Sequence, residues 1–189
     1  ISVEADALVE CHYKFTDYLA EQVEDFDILG TPKLPKIDCG EDTDIQYLRK
    51  LCEEGWKKLK IGEKNNVEEY RQELEMELGV IEEAGLASYF LIVRDILKYC
   101  EINGWLVGYS RGSAGSCLVS LLVDITKNID PLYYELPFER FLTMHRPTPP
   151  DFDLDIADNR RDEVIEWMTN EFGKDKVAQI ITFGTMKAR

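Results

Sequence analysis

The sequence predicts an α/β (α+β) chain, helical in its first half and mixed in its second. Three observations carry this. Between residues 43 and 103, apolar side chains recur at three- and four-residue steps. After Gly104 the pattern changes to short apolar runs punctuated by Gly, Ser and Pro. At Pro149-Pro150-Asp151-Phe152-Asp153-Leu154-Asp155-Ile156, acidic and apolar residues alternate strictly. A period of three to four marks an amphipathic helix and a period of two marks a strand.

Taken in order, residues 1–42 are the least periodic. They predict a short helix over about 16–24 and then an extended tether punctuated by Pro32 and Pro35. Thr43 or Asp44 is placed to cap a first helix, with Tyr47, Leu48, Leu51, Cys52, Trp56 and Leu59 on its apolar face and Gly62 beyond its end. Tyr70, Leu74 and Leu78 mark a second helix over 67–79, its extension ending at Gly85. Ser88 is the expected cap of a third, running from Tyr89 to about Asn103 with Gly104 as its stop. Residues 105–108 read as a short buried strand, 109–116 as a Gly/Ser loop, and 114–124 as an apolar helix. A Pro-bounded connection over 128–150 leads into the aspartate strand. Asp158 or Asn159 then caps a helix through Phe172, Gly173 ends it, and 177–183 read as a core strand.

Composition narrows the function. With 189 residues, 44% of them hydrophobic, the chain can bury a core. A net charge of −15 argues against a free-standing, non-specific DNA-binding module, which presents a basic face. The five cysteines are scattered, with no C-x-x-C pair, and read as reduced thiols of a cytoplasmic protein. Two histidines, His12 and His145, leave little material for a His-based metal site or triad. No run approaches the roughly 18–20 apolar residues of a membrane span, so no membrane partner is expected. The chain opens on Ile1 rather than Met, which predicts a piece of a longer protein.

The alternating aspartates carry the chemistry. On a strand, Asp151, Asp153 and Asp155 share one face while Phe152, Leu154 and Ile156 pack the other. Three anions along one edge repel unless a positive charge holds them. A hard divalent cation such as Mg2+ is the natural candidate, and paired metals on shared carboxylates are the machinery of phosphoryl and nucleotidyl transfer. The Gly/Ser loop, with Arg111, Gly112, Ser113 and Ser116, follows a strand and opens a helix. Small residues there let backbone N–H groups approach a phosphate. It is not a Walker loop, since no Gly-Lys-Ser/Thr follows. Arg140 and Arg146 lie upstream of the aspartates and suit triphosphate oxygens. Taken singly, the loop reads as a plain connector, either arginine as the partner of a surface carboxylate, and the aspartates as a solvated edge. Together they point to nucleotidyl transfer.

The ordered segments 89–93 (Tyr-Phe-Leu-Ile-Val), 107–116, 130–132 (Asp-Pro-Leu), 138–142 (Phe-Glu-Arg-Phe-Leu), 150–155 and 179–186 (Gln-Ile-Ile-Thr-Phe-Gly-Thr-Met) resemble the catalytic alpha subunits of bacterial replicative DNA polymerase III, the C-family polymerases. The likeness is dense from about residue 70 onward. It implies a helical thumb, residues 43–103, joined to a partial nucleotidyltransferase palm of the polymerase beta type, residues 104–189. Residues 1–42 would be a linker and first palm segment after a preceding domain. It also implies that Asp151 and Asp153 are catalytic Mg2+ ligands of a two-metal site, with Asp155 a supporting carboxylate or further ligand. Arg111, Gly112, Ser113, Arg140 and Arg146 would bind the incoming dNTP. Primer–template DNA would be the other substrate; the sliding clamp and clamp loader would dock on regions outside this chain. The family's third catalytic aspartate is expected beyond residue 189, so the chain by itself should polymerise poorly. Two departures stand out: Tyr109-Ser110 where the family reads Pro followed by Gly or Ser, and Cys117 where Ser is common. A stand-alone nucleotidyltransferase using Asp155 as its third ligand, or a non-catalytic interaction module, are the rival readings.

Overall fold

The computed structural model describes residues 2–23, 34–35, 37–109, 111–143 and 149–180, with 2–9 described as backbone only. It divides into two compact units, residues 1–33 and 34–189. The first unit holds the helix α1 (Ser2–Glu21), which begins well before the stretch about 16–24 that the sequence suggests and ends within it. A Lys14–Glu10 pair one turn apart supports it.

The second unit is built on packed helices. Helix α2 (Asp44–Lys58) starts at a capping box: the Thr43 hydroxyl accepts from the Gln46 N–H, and the Gln46 side chain accepts from the Thr43 N–H. It buries Leu48, Leu51, Cys52, Gly55 and Trp56. Helix α3 (Val67–Glu83) runs through Gly79 and buries Tyr70, Leu74, Glu77, Leu78 and Ile81 along one stripe. Helix α4 (Ala87–Ile102) buries Phe90, Leu91, Val93, Ile96 and Leu97. Its N-cap position is Leu86, not Ser88. The Ser88 hydroxyl donates instead to the Asp44 carboxylate, joining α4 to the start of α2. Helix α4 stops where Gly104 takes φ +70°, with Trp105 N–H donating to Cys100 C=O at 3.0 Å and Gly104 N–H to Glu101 C=O at 2.9 Å. This is a glycine C-cap of the Schellman type.

The second half is less regular than expected. The 105–108 segment supplies a strand of two residues, β1 (Val107–Gly108), and Leu106 is 85% exposed rather than buried. The 114–124 segment divides into a 3-10 turn at Ser113–Ser116 and helix α5 (Leu118–Leu122), whose residues are all buried. Strand β2 (Asp155–Ile156) pairs antiparallel with β1, Val107 opposite Ile156 and Gly108 opposite Asp155. A 3-10 turn at Asp158–Arg160 leads into α6 (Arg161–Phe172), so Arg160, not Asp158 or Asn159, holds the cap position. The part of the expected strand 177–183 that is described, 177–180, is not strand, and Ile180 is 92% exposed. A strand needs a neighbour to pair with, and among the described residues the sheet consists of β1 and β2 alone.

Two apolar clusters result. The larger joins α2, α3, α4 and α5 with Phe138, Phe141 and Leu142. The smaller joins α4 to α6 through Ile92, Ile96, Cys100 and Val164, with Trp167 stacked on Tyr99 at 4.4 Å. The tightest contact lies between α2 and α5: a Cβ on Gly55 would sit 1.9 Å from the Leu122 carbonyl oxygen. Glycine inside a helix ordinarily costs about 0.5–1 kcal/mol relative to alanine. At Gly55 the balance reverses, because any side chain would drive the helices apart. Gly79, also inside a helix, has open space where its Cβ would be. Urea denaturation should find Gly79→Ala more stable by about 0.5–1 kcal/mol and Gly55→Ala less stable by about 3 kcal/mol. A neutral Gly55→Ala would contradict the packing described.

Candidate active site

The expected aspartate strand is strand only at its end: residues 149–154 belong to no regular element and lead into β2. Asp151, Asp153 and Asp155 are exposed, while Phe152, Leu154 and Ile156 pack on the core clusters, as the alternation predicts. Facing them is the Gly/Ser loop, which begins where β1 pairs with β2. Gly108 lies under Asp155: a Cβ there would sit 2.7 Å from the Asp155 Cβ. Gly112 lies under Asp153. It takes φ +73°, a conformation open to glycine, and a Cβ on it would sit 2.4 Å from Asp153 Oδ2. The loop therefore needs glycine twice at the aspartate face, once for each of two carboxylates.

Ser113, Asp151 and Asp153 line one cavity of about 280 Å³, with Phe141, Leu142, Thr143, Pro149 and Pro150 completing its walls. Three of the expected site residues are thus brought together, and Gly112 touches one of them. Arg111 is drawn elsewhere. Its Nη1 donates to Asp155 Oδ1 at 2.8 Å, and that hydrogen bond and charge raise its pKa further. Asp155 is therefore an ion-pair partner of the loop. Arg140 is exposed on the 3-10 turn Phe138–Arg140, which packs against the Ser113–Ser116 turn. It does not line the cavity, and among the described residues it has no ion-pair partner. Arg146 and Ser110 lie outside the described residues. Among the described residues no group of three His, Cys, Asp or Glu side chains converges as a metal site.

One residue behind the site escaped the sequence reading. Glu77, on the buried stripe of α3, has no exposed surface. Its Oε1 accepts from the Leu118 N–H at 2.8 Å and its Oε2 from the Val119 N–H at 2.8 Å. The Cys117 thiol donates to Oε2 at 3.2 Å. The first backbone donors of α5, which lack intrahelical partners, are thus satisfied by a side chain from another helix. Burial pushes the Glu77 pKa up to about 8, against the pull of the Val119, Leu118 and Cys117 donors.

The model of the bacterial DNA polymerase III alpha NTPase domain matches residues 46–189. The chain belongs to this family. DNA polymerase III subunit alpha of Halalkalibacterium halodurans is 46% identical over 162 residues, covering 85% of this chain and 14% of that protein. The subunits of Aquifex aeolicus and Escherichia coli O157:H7 are each 42% identical, over 162 and 168 residues, with the same coverage of 85% and 14%. The chain thus spans 14% of the length of these polymerase III alpha relatives. The five cysteines are free, and among the described residues no helix is long and apolar enough to cross a membrane.

The raised Glu77 pKa gives this polymerase III alpha segment a pH signature. Below the ordinary value of 4.5 the residue is protonated in both states, and its contribution to stability is fully present. As pH rises the unfolded state ionises first, so stability falls until about pH 8 and then levels. Glu77→Gln, which keeps one acceptor oxygen and turns a donor toward the other N–H, should lose about 1–3 kcal/mol and remove a slope of up to about 1.4 kcal/mol per pH unit across that window. Glu77→Ala should lose about 3 kcal/mol or more by orphaning two buried N–H groups. Denaturation of the three proteins across pH 5–8 checks this; parallel pH profiles for wild type and Glu77→Gln would contradict it.

Proposed function

We propose that the chain is part of the catalytic subunit of a bacterial replicative DNA polymerase and supplies the metal- and triphosphate-binding half of its active site. The convergence of Asp151, Asp153 and Ser113 on one cavity carries this reading. The parent enzyme would transfer a nucleoside monophosphate from a dNTP to a primer 3′-hydroxyl under template direction. In this reading residues 104–189 are the partial palm, related to the polymerase beta type, 43–103 the thumb, and 1–42 the linker and first palm segment. The sliding clamp and clamp loader would meet other parts of the parent, in the cytoplasm.

Mg2+ is the implied cofactor, and the donor set fits it. Asp151 and Asp153 offer hard, exposed carboxylate oxygens on one face, and Mg2+ keeps several waters and needs only one or two protein carboxylates beside substrate phosphates. Bound there, the ions would neutralise phosphoryl charge and acidify the primer hydroxyl. The chain's own groups would hold the nucleotide. Ser113 lines the cavity, where its hydroxyl would serve as a donor, and Gly112 leaves the backbone bare beside Asp153. Arg140, exposed on the adjoining turn, is free to swing onto phosphate oxygens, and Arg146 would add a second guanidinium. Asp155 would not ligate the ions, since it holds Arg111. The two-aspartate set is incomplete for catalysis, so the isolated chain should bind nucleotide without extending a primer.

Titration calorimetry with Mn2+, with and without dATP, tests the reading. We expect metal-dependent dATP binding by the chain, weakened at least about tenfold in Asp151→Asn/Asp153→Asn. Binding unchanged in the double variant, or no metal-dependent binding in the wild type, would overturn it.

A further inference from the structure

Nucleotide transfer gives the buried Glu77 no role. The side chain is fully enclosed and does not line the cavity of Ser113, Asp151 and Asp153. A buried carboxyl costs free energy unless it is hydrogen-bonded. The bonds of Glu77 all go to the start of α5, to the Leu118 and Val119 N–H groups and the Cys117 thiol. The Cys117 Sγ in turn accepts from the Ser120 N–H at 3.4 Å. The first three backbone donors of α5 are therefore bound inside the protein. They are the donors that a helix start would otherwise offer to a phosphate. The grip on a triphosphate falls to the residues ahead of the helix, with Gly112 beside Asp153 and Ser113 at the cavity wall.

Those two residues are joined to α5 as one piece. The Cys117 N–H donates to the Ala114 C=O at 3.2 Å, and the Ser116 hydroxyl donates to the Ser113 C=O at 2.7 Å. Ala114, Gly115 and Ser116 are buried, whereas Gly112 is exposed. The turn thus has an anchored end at α5 and a free end at the aspartates. A shift of the α5 start carries Ser113 with it, and Glu77 is the polar tether that α3 provides against such a shift. The aspartates have separate support. Phe152, between Asp151 and Asp153, sits in an aromatic cluster, its centroid 5.2 Å from Tyr89, 5.2 Å from Phe90 and 5.0 Å from Phe141.

We propose that Glu77 is a positioning residue of the nucleotide site: by binding the start of α5 it sets where the Ser113–Ser116 turn presents Gly112 and Ser113 to a triphosphate. This rests on the function proposed above. Glu77 itself touches neither metal nor nucleotide. Because the tether serves the loop and the aromatic cluster serves the aspartates, loss of the tether weakens nucleotide binding and spares the metal.

Three variants of the 189-residue chain test this. Glu77→Gln keeps the side-chain volume and one acceptor. Cys117→Ala is a milder cut at the same tether. Val164→Ala lowers stability from the α4–α6 cluster, which contains no α5 residue. Titration calorimetry reads Mn2+ affinity alone and dATP affinity with Mn2+ present, and NMR reads amide hydrogen exchange. Glu77→Gln should weaken Mn2+-dependent dATP binding about tenfold and change Mn2+ affinity by less than about twofold. Exchange should quicken at Cys117, in the turn, as well as at Leu118 and Val119. Cys117→Ala should show a smaller loss of the same kind, and Val164→Ala should lower Tm and move neither dATP affinity nor these amides. Unchanged dATP affinity in both tether variants, an equal weakening of Mn2+ alone, or an equal loss in Val164→Ala would overturn the positioning role. So would unaltered Cys117 exchange in Glu77→Gln, whatever the nucleotide does. No Mn2+-dependent dATP binding in the wild type would overturn the function reading instead.

Discussion

The buried Glu77 carboxyl is the contact on which the geometry of the candidate site hangs. Helix α5 has five residues, too few to hold itself, since helix nucleation is unfavourable and short helices rest on tertiary contacts. Its first two N–H groups are bound by Glu77, and its far end is pressed on Gly55 of α2. With α5 clamped at both ends, the preceding 3-10 turn Ser113–Ser116 has little freedom, and Gly112 is delivered against Asp153. A residue on α3 thus determines where the loop stands, although it touches no part of the cavity. An acid is well suited to this position. Only a side chain with two acceptor oxygens on one carbon can serve two successive backbone donors and a thiol at once.

The aspartate segment is held by a different force. Two paired residues give little sheet stability, so the ladder cannot keep the segment in place. The apolar face does: Phe152 lies in the aromatic cluster, and Leu154 and Ile156 bridge toward the α4–α6 cluster. Burying alternate residues on one side leaves the carboxylates on the other, exposed and crowded. Arg111 relieves part of that crowding through Asp155. The end of the row nearer the sheet is thereby neutralised within the protein. The end at the cavity, Asp151 and Asp153, has no such ion-pair partner among the described residues.

Local signals were legible in the sequence and distant ones were not. The acid–apolar alternation at 151–156, the cap at Thr43 and the Gly104 stop each lie within a few residues, and the structure has all three. Glu77 is one acid in a helix crowded with them, and only its place on the Tyr70-Leu74-Leu78 stripe marks it as buried. Its partners lie 41 and 42 residues away. The Arg111–Asp155 pair spans 44 residues, so spacing alone could not separate a phosphate ligand from an ion-pair partner. Residues 177–180 show the opposite failure: their composition suits a strand, but strand formation depends on a neighbour that composition does not reveal.

The departure at Tyr109 follows the same logic. A bulky residue where the resemblance leads one to expect proline would crowd a phosphate if it faced the aspartates. It does not line the cavity with Ser113, Asp151 and Asp153. Its hydroxyl donates to Glu101 at the end of α4, Lys127 Nζ donates to that hydroxyl at 3.0 Å, and the ammonium lies 4.2 Å from the ring centroid. Proline would stiffen the loop entry through its backbone; tyrosine ties it down through its side chain, to α4 on one side and the segment after α5 on the other. Both routes limit where Gly112 can go. The constraint is a fixed loop entry, and in this chain a phenol hydrogen-bonded between Glu101 and Lys127 meets it.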